Sequence, residues 1–378
     1  MVRLVFAAIV AGHAIIHLLG FVKAFRLASL GTLTLPISHP MGLVWLAAAL
    51  LLAASAGGLA IGHDRWWLPA TIGVALSQVA IVSSWGDAKA GTIVNAALAV
   101  ALVPPLADLR PSSNQATYER RVREAMARPT RAERIVATED LAHLPPLVRG
   151  YLVRVGAVGR PRVRSVRVRF HGAIRTDPAT AWMPFTGVQH TSLDEPERLF
   201  FMRATRAGLP VDGLHAFSTD EASMRIRLGS LIPVADVSGA TLVRSETVTF
   251  LNDLCLFAPA ALIDAPIEWA PVDARSVRAD YALGHQRVSA VLTFDAAGDL
   301  VDFRSEDRYQ DAGGADRRLP WTTPVSRLRT FASGARLPGY GEGWWHPAEG
   351  AFAYLRIELD DITYNVGASS TDGRVGRP

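Results

Sequence analysis

The sequence predicts an α+β protein: an N-terminal four-helix transmembrane unit, followed by a large, curved antiparallel β-sheet in a half-barrel-like domain with a covering helix. Apolar residues are concentrated before residue 108, and charged residues lie mostly after it. From residue 162 onward the apolar residues recur with a period of two, which is typical of half-buried strands. These patterns predict four segments: a transmembrane helical unit (1–108), a helical connector (109–160), an antiparallel β-rich soluble domain (161–366) and a disordered tail (367–378).

Four apolar runs are long enough to cross a hydrocarbon core of about 30 Å, since a helix rises about 1.5 Å per residue. They occupy residues 2–22, 41–62, 66–85 and 90–106. The fourth run ends at Pro104 and Pro105, which cannot donate helical hydrogen bonds. The first run precedes Lys23 without a small-residue cleavage site, so we interpret it as a retained helix rather than a signal peptide.

An even number of spans places the N-terminus and the β-domain on the same side of the membrane. The basic residues near the helix ends are unevenly divided between the two sides. On the side of the β-domain they are Arg3, Arg65, Arg110, Arg120, Arg121 and Arg123, and on the other side Lys23, Arg26 and Lys89. This bias predicts a multi-pass protein of the bacterial cytoplasmic (inner) membrane with the β-domain in the cytoplasm.

Two histidines lie inside the first apolar run. His13 and His17 are one helical turn apart and share a face, which is the spacing that two imidazoles need to bind one metal ion or to face a haem. The alternative is that they pack against the other helices and form hydrogen bonds with Gln78 or Asn95. The sequence leaves both interpretations open.

The β-domain is predicted from alternating side chains. In VRSVRVRFHG, residues Val166, Val168 and Phe170 share one face, and arginines occupy the other. The same alternation recurs in SMRIRLG, RVSAVLTFD and YLRIELDD. One convincing helix, residues 243–257, interrupts these strands and is expected to cover the apolar face of the sheet. A β-sandwich or a closed barrel is the alternative, but either would leave this helix without a role.

Motifs of known chemistry are not found. There is no zinc-ligand spacing and no G-x-S-x-G elbow. The glycine-rich segment 339–345, GYGEGWW, lacks the strand-loop-helix context of a phosphate loop, so we predict a turn between strands. The sequence therefore assigns no catalytic residue and no cofactor other than the metal or haem considered for the histidines. The net charge of +4 suits anionic lipid headgroups, and we expect no nucleic-acid partner.

Aromatic side chains offer a different type of site. Trp182, Phe185, Trp344 and Trp345 provide large apolar surfaces near predicted strand ends and loops, where a lipophilic ligand could enter a groove. The alternative is that these rings fill the core between sheet and helix.

Several segments resemble those of a known family. Residues 145–366 contain VRFHG, WMPFTGVQ, SLIPVADVSG, FLNDL, PWTTPVS and DITYNV, and they resemble an uncharacterised bacterial family, a domain of unknown function. The N-terminal HAIIHLLGFVKAF and SQVAIVSSWGDAKAGTIVNA are similar to the membrane region of some of its members. This resemblance implies no activity and no catalytic residues. The predicted sheet also resembles, more loosely, the half-barrel carriers that shield lipoprotein acyl chains outside the cytoplasm.

Three hypotheses for the function follow. The first is a membrane-tethered protein whose β-domain binds a lipid or another lipophilic molecule, with membrane lipid as a partner. The second is a membrane haem- or metal-binding redox protein that uses His13 and His17. The third is a membrane-anchored protein-interaction or sensor module.

Overall fold

The computed structural model describes residues 2–31, 33–128, 133–206, 208–311 and 316–367. The chain divides into two compact units, Met1–Leu109 and Arg110–Pro378. Apart from Gly367, the predicted disordered tail lies outside the described residues.

The first unit is helical. Its helices are α1 (Val2–Ala24), α2 (His39–Ile61), α3 (Trp67–Ser83), the single-turn α4 (Trp85–Ala88) and α5 (Gly91–Asp108). Three of them, α1, α2 and α5, are long and apolar enough to cross a membrane. Helix α3 is apolar but has 17 residues, a length of about 25 Å, so it is shorter than the predicted third span. The cytoplasmic location of the β-domain stays a prediction.

Glycines let α1 and α2 pack closely together. A Cβ atom at Gly20 would lie 2.1 Å from the ring of Trp45, and one at Gly42 would lie 2.3 Å from the Cβ of Ala24. Small residues at helix interfaces are typical of membrane helices, because their association depends on van der Waals contact rather than on hydrophobic burial.

The second unit begins with short helices that pack on a sheet. They are α6 (Asn114–Ala127), a 3-10 turn (Thr138–Leu141) and α7 (Pro146–Arg154). Helix α6 begins after Ser113, whose hydroxyl accepts a hydrogen bond from the backbone N–H of Ala116 at 3.0 Å. Its buried Tyr118 stacks on Phe201 of the sheet, with the ring centroids 5.8 Å apart. This contact holds α6 against the outer face of the sheet.

Fourteen antiparallel strands form one sheet in the described part of the chain. They are β1 (Ser165–Ile174), β2 (Met183–Ser192), β3 (Glu197–Arg206), β4 (Leu209–Ser218), β5 (Ala222–Leu228), β6 (Ile232–Ser238), β7 (Ile267–Asp273), β8 (Ser276–Leu283), β9 (Gln286–Phe294), β10 (Leu300–Asp311), β11 (Asp316–Thr322), β12 (Val325–Thr330), β13 (Arg336–Trp345) and β14 (Phe352–Tyr364). Their order is β6-β5-β4-β3-β2-β1-β14-β13-β11-β10-β9-β8-β7, and β12 pairs with β13 outside this path. The sheet ends at β6 and β7, so it is a single open sheet and not a sandwich or closed barrel.

The sheet curls around one helix, α8 (Ala240–Leu256). Helix α8 contacts β5 and β6 as well as β9 and β10, which lie near opposite ends of the strand order. In a flat sheet, β5 and β9 would be about 40 Å apart at about 4.8 Å per strand, whereas a helix is only about 10–12 Å wide. The contacts therefore require strong curvature, which confirms the predicted half-barrel with a covering helix.

Both the apolar and the polar sides of helix α8 are buried. Its buried residues include the polar Ser245, Glu246, Thr249, Asn252 and Asp253. The sequence predicts a helix that covers the sheet with one apolar face. Because the curled sheet surrounds α8, its polar face is enclosed as well.

The glycine-rich segment 339–345 is part of strand β13, so the predicted turn is wrong. Glycines in this strand make room for neighbouring groups. A Cβ atom at Gly343 would lie 2.9 Å from the ring of Tyr354, and one at Gly341 would lie 3.2 Å from the side chain of Val325. The backbone N–H and C=O groups of this segment form hydrogen bonds with β12 and β14, a pairing that the sequence pattern alone does not reveal.

Candidate functional site

A cavity of about 170 Å³ lies inside the half-barrel, between α8 and the inner face of the sheet. Most of its wall is apolar or aromatic. This part consists of Phe170, Ile174, Phe185, Phe200, Met202, Leu256, Phe257, Trp321, Val325, Pro338, Tyr340, Tyr354, Leu355, Ile357 and Leu359. Eight of them are Phe170, Ile174, Phe185, Phe200, Met202, Leu355, Ile357 and Leu359, which alternate along β1, β2, β3 and β14 and so face the inside of the curled sheet.

The remaining wall contains a buried ionic cluster around Arg198 of β3. Its Nε donates to Oδ2 of Asp253 at 2.7 Å, and its Nη1 donates to Oε2 of Glu246 at 3.0 Å. Gln189 of β2 also donates to Oδ2 of Asp253, at 2.7 Å. Nδ1 of His215 lies 3.7 Å from Oε1 of Glu246. One arginine therefore holds two buried carboxylates of α8.

The two carboxyl groups respond differently to this environment. Burial raises the pKa of Glu246, but the charge of Arg198 and the neighbouring His215 outweigh it and lower the pKa to about 2. For Asp253, burial is the larger effect, and the pKa is raised despite Arg198 and Gln189. The cluster consequently keeps Glu246 ionised.

A second arginine, Arg308 of β10, lines the cavity in a different way. Its guanidinium carbon lies 4.2 Å from the ring centroid of Trp321 and 5.4 Å from that of Trp345. Its Nη1 donates to Oη of Tyr354 at 2.9 Å. Its Nε is buried and has no hydrogen-bond partner, and among the described residues no carboxylate forms an ion pair with it. Aromatic faces and one hydroxyl hold this cation.

The four aromatic residues proposed from the sequence take different positions. Phe185 lines the cavity and is buried. Trp345 lies behind the wall, stacked on Tyr354 with ring centroids 5.6 Å apart. Neither Trp182 nor Trp344 is among the lining residues. Their ligand-binding role stays a prediction.

Trp182 and Trp344 have polar partners instead. The ring of Trp182 lies between Arg175 and Arg356, whose guanidinium carbons are 4.5 and 4.4 Å from its centroid. Nε1 of Trp344 donates to Oε2 of Glu342 at 2.7 Å.

Sequence reasoning missed the arginines and carboxylates of the cavity. Arg198 and Arg308 lie on strands, where arginines are usually expected to face solvent. One usable signal was the spacing of Glu246 and Asp253, since residues seven apart on a helix share a face. An acidic pair on one face of a helix that covers a sheet indicates a buried partner.

The membrane-unit histidines form a polar cluster with α3 and α5. Nε2 of His13 lies 3.1 Å from Oδ1 of Asn95 and 3.2 Å from Oγ of Ser77, and Nε2 of His17 lies 2.7 Å from the same Oγ. The hydrogen bond to Asn95 is thus present. Within the described ranges no three His, Cys, Asp or Glu residues are grouped to hold a metal ion. The haem or metal site stays a prediction.

The buried Asp302 of β10 is expected to make the stability of the folded chain depend on pH. Burial raises its pKa to about 6, although backbone N–H groups of Phe303 and Thr323 oppose this shift, and its Oδ1 is buried without a partner. The folded pKa lies above the unfolded value of about 3.9, so the folded state binds more protons and stability falls as the pH rises through 6. We expect Asp302→Asn to raise the free energy of unfolding by roughly 2 kcal/mol at pH 8 and to have little effect at pH 4.

This expectation can be checked by denaturant unfolding of the full chain in detergent at both pH values. Glu349→Gln is the control, because the side chain of Glu349 is 70% exposed. An Asp302→Asn variant that is equally stabilised or destabilised at both pH values would contradict the expected protonation.

Comparison with known proteins identifies the family of this chain. A family model described as "Family of unknown function (DUF6544)" matches residues 134–357, more than half of the chain. The chain belongs to the DUF6544 family. No curated protein matches it.

Two solved structures are similar to this DUF6544 chain at low identity. A domain described as an outer membrane lipoprotein-sorting protein from Vibrio parahaemolyticus has a TM-score of 0.35 and 10% identity, covering 55% of this chain and 88% of that chain. A DUF1329 family protein from Desulfovibrio piger has a TM-score of 0.34 and 13% identity, covering 59% of this chain and 94% of that chain.

Segments of the DUF6544 chain that are far apart in sequence meet at the cavity. VRFHG contributes Phe170, and WMPFTGVQ contributes Phe185 and Gln189. FLNDL contributes Asn252 and Asp253. PWTTPVS adds Trp321, Thr323 and Val325. Four of the segments by which the sequence resembles its family thus contribute side chains to the wall of one cavity.

Proposed function

We propose that the half-barrel binds a small lipophilic molecule, or one end of a larger one, in the cavity beside α8, while the N-terminal helices attach the chain to a membrane. The observation that carries this proposal is the apolar and aromatic wall to which the family segments contribute. A membrane-attached protein has lipid as its nearest supply of such molecules.

The unfilled space beside α8 supports a ligand. Protein interiors are normally packed to the density of organic crystals, and the 170 Å³ cavity departs from that density. An apolar molecule placed there would remove its own surface and that of the apolar wall from water.

The size of the cavity limits the ligand. Drug-sized ligands usually occupy pockets of about 300–1,000 Å³, and a cavity of about 150 Å³ holds a molecule such as benzene. The cavity therefore suits a compact molecule or part of a single alkyl chain rather than a whole phospholipid.

The test uses the full chain in native membranes and a neutral, photoactivatable long-chain alcohol that carries a diazirine. After illumination and digestion, mass spectrometry is expected to find the label on peptides containing Phe185 or Met202. Met202→Trp fills the cavity with a larger side chain and is expected to reduce this label several-fold. Val272→Trp is the matched control, since Val272 is 53% exposed on edge strand β7.

Two results would overturn the proposal. One is labelling confined to the N-terminal helices. The other is equal labelling of the half-barrel in wild type and Met202→Trp, provided both variants show the same cooperative unfolding.

A further inference from the structure

The two arginines that line the cavity differ in what they can offer to a ligand. Arg198 is buried, with 7% of its surface exposed, and its guanidinium already donates hydrogen bonds to Asp253 and Glu246. The carboxylates of α8 therefore occupy the N–H groups that a ligand would need. A ligand that approaches Arg198 would have to displace one of them, so this residue is not available as an anion site.

Arg308 has the opposite arrangement. Within the described part of the chain, its only side-chain acceptor is the hydroxyl of Tyr354, at 2.9 Å, and its Nε is buried without a hydrogen bond. The Nε is enclosed by protein atoms, so a ligand in the cavity would meet the Nη end of the guanidinium rather than Nε. An acidic group placed there would supply the direct counter-charge that Arg308 lacks.

The surroundings of Arg308 hold its planar group in place for such a contact. The face of Trp321 lies 4.2 Å from the guanidinium carbon. Tyr354 receives a second hydrogen bond, from Nε1 of Trp321 at 3.2 Å, so its hydroxyl is fixed as well. A guanidinium oriented in this way binds a carboxylate with little further loss of side-chain entropy.

The charge near Arg308 is compatible with an added anion. Glu246, whose pKa Arg308 helps to lower, is already paired with Arg198 at 3.0 Å. Glu342, which also lines the cavity, is paired with Arg356 at 3.3 Å. The positive charge of Arg308 is therefore not balanced by a direct ion pair.

From these contacts we infer that the cavity selects an amphiphile with an acidic head, a long-chain carboxylate, whose head accepts hydrogen bonds from Arg308 while the adjoining part of its alkyl chain lies along the apolar wall. This inference rests on the proposed function and adds the chemical class of the ligand. The apolar side of the site includes Phe185, Phe200, Met202 and Ile357, which suit an alkyl chain.

The experiment compares two competitors that differ only in the charge of the head. Full-length protein in native membranes is labelled with a diazirine analogue of a long-chain fatty acid, in competition with palmitate or methyl palmitate. Palmitate is expected to compete about tenfold or more better than the ester, because a hydrogen bond between two charged groups is worth roughly 1.5–3 kcal/mol.

Variants at position 308 test whether Arg308 is responsible for the preference for palmitate over methyl palmitate. Arg308→Gln is expected to remove the preference for palmitate, and Arg308→Lys to keep part of it. Arg304→Gln is the matched control, because Arg304 lies on the same strand, pairs with the exposed Glu306 and does not line the cavity, so it should leave the preference unchanged. Labelling by the neutral alcohol probe reports whether each variant still has a folded cavity.

Each outcome has a distinct meaning. Equal competition by palmitate and methyl palmitate in wild type overturns the carboxylate proposal, as does an undiminished preference in Arg308→Gln. In both cases, labelling by the neutral alcohol would still support a lipophile site. Loss of labelling by every probe would overturn the proposed function and this inference with it.

Discussion

Arg198→Met is expected to lower the free energy of unfolding of the β-rich unit by about 3–5 kcal/mol at pH 7. Arg198 is the shared partner of Glu246 and Asp253, both of which are buried. Methionine occupies a similar volume but leaves two carboxyl groups without their cation, and an uncompensated buried charge is among the most destabilising changes known. Denaturant unfolding of the full chain in detergent, followed by tryptophan fluorescence, measures the loss.

The destabilisation should depend on pH in a defined direction. Without Arg198, burial raises the pKa of both carboxyl groups above their unfolded values, so the folded state binds extra protons. The variant is therefore expected to recover more stability than wild type as the pH falls from 8 to 5, because wild type has a raised pKa on Asp253 and Asp302 but a lowered one on Glu246. Adding Glu246→Gln and Asp253→Asn to Arg198→Met should restore a large part of the loss.

Arg304→Met serves as the control, because the side chains of Arg304 and its partner Glu306 are 45% and 57% exposed and form a surface ion pair. Such pairs usually contribute no more than about 1 kcal/mol. If Arg198→Met were no more destabilising than Arg304→Met, the ionic cluster would not be a stabilising part of the cavity wall.

The second large effect concerns the central pair of strands. Gly172→Ala in β1 is expected to destabilise the sheet by more than about 2 kcal/mol. A Cβ atom at Gly172 would lie 1.9 Å from the backbone carbonyl oxygen of Arg356 in β14, so no side chain can move aside to relieve the clash. The two strands pair at this point, Gly172 opposite Ile357, and they join the two halves of the sheet.

Gly150→Ala is the control, because it makes the same glycine-to-alanine change at a site with free space. Gly150 lies inside α7, and a Cβ atom there meets nothing within 4 Å. Alanine is favoured over glycine in a helix by about 0.5–1 kcal/mol, so this variant should be slightly stabilised. Similar midpoints of thermal unfolding for the two variants would show that β1 and β14 can separate without cost.

The helices and strands whose apolar residues repeat regularly were predictable from the local sequence. Apolar runs identify the membrane helices, since a span must satisfy its backbone internally and expose apolar side chains to lipid. Alternation such as that around Val168 identifies strands, and the apolar stripe of residues 243–257 identifies α8 within three residues at its start. The glycine segment 339–345 was misassigned because its pairing with β12 and β14 is a long-range property.

By itself the sequence determined that this chain has apolar helices followed by an antiparallel sheet with one helix, because hydrophobic periodicity is a local property of the chain. Only the tertiary structure decided which side chains line the cavity. The curvature of the sheet encloses the polar face of α8 and brings Arg198 and Arg308, 110 positions apart in the printed sequence, onto one inner wall. Trp182, just before β2, and Trp344, which follows a bulge after Gly343 in β13, are not part of that wall, and only their tertiary contacts show this.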